Sequence, residues 1–273
     1  MCNTNGTASF ILKMNIMKCL YATLFLLILS FQLPAQRLSD TLKIISYNLR
    51  FGERASMEEF AAFIKTQNAD LVALQEVDIN TFRERAPKQN GKDFIGELAH
   101  LTGMFGAFGK TIDYAGGYYG IGILSKYPMT MTERILLPFT ENGKEQRALL
   151  VANIELGEGK TISFASTHLD FTNTQERQLQ VTQINNILLQ KNIPVLVCGD
   201  FNARPESTEI KQGMSLWAPL DNQFPTSPSQ AAKYKIDYIF GYPKANWELL
   251  SSPKQSSLLS DHLPVVSEVK ITW

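Results

Sequence analysis

Glu76, Asp200 and Asp261 are hard oxygen donors, Asn48 is a neutral one, and His168 and His262 stand beside them at the borders of apolar runs. "LKIISYN" delivers Asn48, "ADLVALQE" Glu76, "TISFASTH" His168, and "IPVLVCGD" Asp200 with Asn202 just beyond. Asp237 instead opens "DYIF", and Asp261-His262 precede "LPVV". Oxygen sets of this kind suit Mg2+ or Mn2+, which keep several waters and take one or two carboxylates directly. Histidines are poor Mg2+ ligands but serve a phosphate oxygen or a proton well. Zinc is disfavoured, since no His-x-x-x-His or Cys pair is present. A metal that polarises a phosphoryl oxygen, a carboxylate that orients water and donors that stabilise the added charge together make a phosphoester hydrolase. Any one Asp or Asn at a strand end is an ordinary turn or cap residue. The joint pattern carries the chemical reading.

The elements that must hold these groups can be read from the same runs. "VLVCGD" is apolar without polar alternation, as in a strand buried on both faces, and Cys198 within it is a small core residue. Eight such runs recur: the five above ("DYIF" within "KIDYIFG"), "GIGILSKYP", "ALLVANIEL" and "LPVVSEVKIT". Gly157 and Gly159 suit a hairpin between "ALLVANIEL" and "TISFASTHL". If the polar groups meet at one rim, the strands ending in Asn48, Glu76, His168 and Asp200 run toward it. Those opening at Asp237 and after Asp261-His262 run away from it. A purely parallel sheet cannot do this, but a mixed or mostly antiparallel system can. Three helices alternate with the strands. One begins at Ser56 with Glu59 as a capping box, one lies between Asp93 and Gly103, and one follows Asn173. His100 sits in the second with no motif around it and reads as structural.

The 273 residues show no repeat or linker, so one domain over 37–273 is expected. Before it, "MKCLYATLFLLILSFQLPAQ" has a lysine, a short apolar stretch and small Ala35, the pattern of a secretory signal peptide over residues 1–36, with Met14 or Met17 as alternative starts. A secreted or periplasmic protein is expected, without a stable membrane span after cleavage; an uncleaved anchor is the competing reading. Cleavage removes Lys13 and Lys18 and no acid, taking 26 basic residues to 24 against 26 acidic ones. This balance lacks the basic excess of proteins that grip long nucleic acid. Only Cys198 remains, so no intrachain disulfide can form, and a monomer is expected.

"SYNLR", "LQEV", "GYYGIGILSKYP", "STHLD", "GDFN", "KIDYIF" and "SDHLPV" occur in the order found in the endonuclease/exonuclease/phosphatase superfamily, which the chain resembles from about Leu42 to Val266. That resemblance implies the DNase I-like fold, an α/β (α+β) four-layer α/β/β/α sandwich of two mixed, mostly antiparallel sheets. It further implies Glu76 as principal metal ligand for Mg2+ (or Mn2+), with Asn48 and Asp261 completing or supporting the metal site. Asp200 would orient the attacking water, Asn202 would donate to the phosphoryl oxygens, and His168 would bind phosphate or donate a proton. His262 would be fixed by Asp237. Arg147 resembles a family arginine near the scissile phosphate. Tyr119, in preference to Tyr118, falls where members place a tyrosine.

The superfamily cleaves many phosphoesters from one site, so the substrate does not follow from fold and motif. "QEVDINTFRERA" with "GGYYGIGILSKYP" is also similar to the hydrolase-like domain of a eukaryotic protein of glycosylphosphatidylinositol-anchor remodelling. The expected function is a secreted, Mg2+-dependent phosphodiesterase acting on a small or lipid-headgroup phosphoester. A secreted nuclease acting on DNA or RNA is the alternative, and a catalytically inactive binding module the alternative of another class. Arg83, Arg85, Lys88 and Lys92 form a basic loop after Glu76, expected to be solvated, with a substrate-side wall as the other reading.

Overall fold

Why the sequence alternates between wholly apolar runs and amphipathic stretches becomes clear from the layering. The computed structural model describes residues 39–273; the signal-peptide expectation lies outside the described residues. The strands are β1 (Ser39–Asn48), β2 (Leu71–Ile79), β3 (Phe105–Tyr114), β4 (Gly117–Ser125), β5 (Met129–Leu136), β6 (Ala148–Gly157), β7 (Lys160–His168), β8 (Val195–Asp200), β9 (Ala218–Pro219), β10 (Asp237–Tyr242), β11 (Trp247–Ser251) and β12 (Val265–Thr272). They form two six-stranded sheets, in the orders β11-β12-β1-β2-β4-β3 and β5-β6-β7-β8-β10-β9. Helices α1 (Met57–Gln67) and α2 (Phe94–Thr102) cover the first sheet, and α3 (Thr174–Leu188) and the single turn α4 (Thr208–Lys211) cover the second.

Three apolar clusters fill the three interfaces of this four-layer α/β/β/α sandwich. Between the sheets lie Leu42, Ile44, Ile121, Phe164 and Leu196 with Cys198. Phe60 and Ile64 of α1 and Leu98 of α2 pack on Ile45, Tyr47 and Val72. Val181, Ile184 and Leu188 of α3 pack on Val195 and Val197. Leu196 and Cys198 thus face the other sheet while Val195 and Val197 face the helices, which is why β8 has no polar side chain before Asp200 at its end. Burial on both faces excludes one.

The helix boundaries follow their caps. Ser56 and Glu59 make the reciprocal capping box, Asp93 accepts from Gly96 N–H, and Asn173 accepts from Glu176 N–H. Strand directions are as the rim requires. β1 and β2 are parallel, β7 and β8 are parallel, β10 is antiparallel to β8, and β12 is antiparallel to β1. Among the described residues no helix is long and apolar enough to cross a membrane.

Candidate active site

Register places the polar strand ends together. His168 stands opposite Asp200 across β7 and β8, and Asp200 opposite Asp237 across β8 and β10. A Cβ on Gly199 would lie 2.1 Å from the Thr167 carbonyl oxygen, so a side chain there would push β8 off β7 and spoil that register. In the other sheet, Glu76 is the extra residue of a β-bulge between β2 and β4, with φ +54°. A left-handed glutamate costs about 1–2 kcal/mol, and the bulge re-aims the side chain toward the rim.

Asn48 joins the two sheets. Its buried amide nitrogen donates to Glu76 Oε1 (3.0 Å) and to Asp200 Oδ2 (3.2 Å), and its Oδ1 accepts the Arg50 backbone N–H (2.9 Å). Here Asn48 acts on both carboxylates as a hydrogen-bond donor. Asp200 also accepts the Asn202 N–H at Oδ1 (2.9 Å), and its Oδ2 lies 3.6 Å from His168 Nε2 and 3.8 Å from His262 Nε2. Burial, and then the neighbouring Asp237, push its carboxyl up to about 7 against the opposing pull of His262 and the two amides.

The two histidines differ in charge. His262 Nδ1 bonds Asp237 Oδ2 at 2.9 Å. Burial works against its charge, but Asp237 and Asp200 outweigh burial and raise it to about 9. His168 Nδ1 lies 3.2 Å from Arg147 Nη1. A guanidinium can only donate, so Nδ1 accepts and Nε2 carries the proton toward Asp200. Burial, with Arg147 and His262 nearby, holds His168 well below the usual histidine range, as a neutral donor. Arg147 is buried, is 3.0 Å from Glu145, and keeps a buried Nε without a hydrogen-bond partner among the described residues.

Tyr119 is buried and Tyr118 exposed. Burial, then Glu76, raises the Tyr119 phenol far above its ordinary value, so it stays a donor. Asn202, left-handed at φ +48°, spends one side-chain N–H on the Leu169 carbonyl (3.0 Å) and has a second left. Asp261 is at the rim too, but its carboxylate pairs with Arg50, which also bonds Glu53. Sequence reasoning passed over Arg50, although it is the last residue of the quoted "SYNLR", and over Glu145, two before Arg147. Arg177 is an internal brace, donating to Glu209 (2.7 Å) and to the Asp170 carbonyl (3.2 Å). Asp170 organises the adjoining loop by accepting from the amides of Lys144, Thr172 and Asn173.

The donor set fits a hard divalent cation. Asp200, Asp237 and His262 bring ligand atoms within 4.8 Å of one another. Within that trio His262 Nδ1 is already committed to Asp237, and its charged ring supplies the neutralisation a cation would bring. Glu76 has one oxygen on Asn48 and is less buried, which leaves it the better-placed carboxylate.

Residues 45–262 match the model of the Endonuclease/Exonuclease/phosphatase family. The chain belongs to that family, whose members are hydrolases of phosphoesters. Its relatives include YbhP of Escherichia coli (strain K12), 26% identical over 261 residues that cover 88% of this chain and 100% of YbhP. Among solved structures, an endonuclease/exonuclease/phosphatase from Beutenbergia cavernae superposes with TM-score 0.71 at 17% identity, over 86% of this chain and 72% of that one. The mannosyl-6-phosphatase Bt3783 of Bacteroides thetaiotaomicron does so with TM-score 0.62 at 16% identity, over 84% and 99%. At such identities the family likeness in structure is one of fold.

Proposed function

We propose that this chain is a secreted or periplasmic, Mg2+-dependent phosphodiesterase that hydrolyses a small or lipid-headgroup phosphoester by attack of a water oriented by Asp200. The observation that carries this reading is the convergence on Asp200 of two histidines in opposite charge states, 3.6 and 3.8 Å away, beside the buried unpartnered Arg147 Nε. Glu76 would hold the metal, with Asn48 fixing its carboxylate and Asp261 in support. When bound, Mg2+ polarises a phosphoryl oxygen and offsets developing charge.

The remaining roles belong to protein groups. Asp200 accepts from the attacking water and fixes its direction. His262, held charged by Asp237, favours the carboxylate form of Asp200 against the burial that raises it. His168 Nε2–H, Arg147 Nε–H and the second Asn202 N–H are donors for the phosphoryl oxygens as charge builds, and preorganised donors of this kind are each worth about 3 kcal/mol. Tyr119 supplies a phenol that stays protonated. The mannosyl-6-phosphatase of the same fold takes a small sugar phosphate, which suits a small substrate better than a polynucleotide.

The test is hydrolysis by the protein begun at Arg37, with Mg2+ and with chelator, of plasmid DNA, RNA, sphingomyelin and phosphatidylinositol. Metal-dependent cleavage of a headgroup ester, abolished in Asp200→Asn, is expected. Cleavage of nucleic acid alone would replace the substrate reading with that of a nuclease. Wild-type rates in Asp200→Asn would overturn the site.

A further inference from the structure

The loop between β2 and α2 carries the basic residues noted in the sequence, and it is built rather than merely solvated. Asn80 N–H bonds the Lys92 carbonyl (2.8 Å), Gly91 N–H the Thr81 carbonyl (2.9 Å), Arg83 N–H the Asn90 side chain (2.7 Å) and Phe82 N–H the Ala115 carbonyl of the β3–β4 turn (2.9 Å). Arg83 is the hub. Its guanidinium makes a bidentate pair with Asp78 (2.6 and 2.9 Å), which neutralises it. The same group lies 4.3 Å from the Phe51 ring centroid, 4.1 Å from Tyr114 and 5.1 Å from Tyr119. One cation therefore fixes three rings from three separate segments.

Two of those rings, Phe51 and Tyr114, line a cleft of about 290 Å³ together with Phe82, Arg83, Glu84 and Arg85. Phe82 is 64% exposed and Tyr114 44%, a large apolar surface to leave to water unless something covers it. Phe51 stands in the 3-10 turn Arg50–Gly52, where all three residues have positive φ (45°, 42° and 66°). Backbone strain of that kind collects where a side chain must be held for a ligand. The cleft also adjoins the chemistry, because Tyr114 and Tyr119 are 6.4 Å apart between ring centroids and Tyr119 senses Glu76.

Resting on the phosphoester reading above, we infer that this cleft is the leaving-group subsite and that it takes a polyhydroxylated ring, a hexose or an inositol, esterified to the phosphate. The ring's C–H face would lie on Phe82 and Tyr114. Its hydroxyls, each both donor and acceptor, would meet a carboxylate, Glu84, and a guanidinium, Arg85. A polyanion finds little here. Arg83 is paired with Asp78, Arg85 with Glu53, Lys92 with Glu97 and Lys110 with Asp113.

The experiment compares kcat/KM for glycerophosphoinositol with that for glycerophosphoglycerol, which differs in lacking the ring, in wild type, Phe82→Leu, Tyr114→Leu and Phe82→Trp. Either leucine variant is expected to lower the ring-to-acyclic ratio about tenfold through KM, and Phe82→Trp to restore it. Phosphatidylinositol vesicles identify a lipid source if they respond in parallel, and a soluble source if they are not cleaved; both support the polyol ring. An unchanged ratio, or an equal loss on a dinucleoside monophosphate, overturns it. Should wild type hydrolyse none of these esters, the phosphoesterase reading fails by itself. Saturation-transfer NMR with myo-inositol 1-phosphate then decides the cleft. A transfer signal in wild type that vanishes in Phe82→Leu supports it, and no signal in wild type overturns it.

Discussion

Two buried acid–cation pairs touch β10, and only one of them faces the site. Asp237 holds His262, and Asp221 holds Lys235 at 3.1 Å. Both pairs are almost wholly out of water. His262 turns its second nitrogen to Asp200, 3.8 Å away. Lys235 is turned inward instead: its ammonium is ion-paired with Asp221, donates to the Asp237 carbonyl and lies 4.6 Å from the Tyr238 ring centroid. Asp221 spends its other oxygen on the Ile239 N–H (2.7 Å), and burial still pushes its carboxyl up despite Lys235. Charge and burial alone therefore do not mark a working group. A second face toward the reacting water does.

Removing one partner from each pair separates the two roles. His262→Asn should cut turnover by about 10²–10³, measured as kcat on a cleaved phosphoester. Its stability cost should depend on pH. The folded pKa of His262 is raised from 6.5 to about 9, so its contribution is fully present below about 6.5 and lost as pH rises through 9. The Tm gap between variant and wild type should then shrink from pH 6 to pH 10, and a constant gap would deny the ion pair. Lys235→Met should do the reverse, lowering stability by about 3 kcal/mol in denaturant while turnover stays within about tenfold. A loss of turnover matching that of His262→Asn at temperatures where the variant is folded would erase the distinction.

How much of this was legible in the sequence depends on burial. The eight apolar runs are the eight inner strands β1, β2, β4, β6, β7, β8, β10 and β12, while the four unread strands β3, β5, β9 and β11 are the sheet edges. An edge strand has fewer neighbours to exclude water from it. In β5, "MTMTERIL", nearly every residue is exposed, so no pattern is imposed. Asn48, His168, Asp200 and Asp237 were readable because each ends or opens an inner strand, and Glu76 because it breaks an apolar run, although β2 continues past it to Ile79 after the bulge. Arg50 was not, because its place depends on a left-handed turn that nothing in "LRFG" beyond its glycine announces. Nor was the pairing of Arg83 with Asp78, in which a loop folds back on the end of β2. The opposite charge states of the two histidines come from their neighbours in space, Arg147 for one and Asp237 for the other.

Those charge states can be read directly. The chain has three histidines, His100, His168 and His262, so a titration of their ring protons by NMR, with Asp200→Asn and His262→Asn to assign them, reports each site in one experiment. The expected result is one ring that stays charged until about pH 9, assigned to His262, and a second, His168, that stays neutral to well below pH 6.5. A His262 ring that loses its proton near 6.5, or a His168 ring charged at neutral pH, would contradict the arrangement around Asp200.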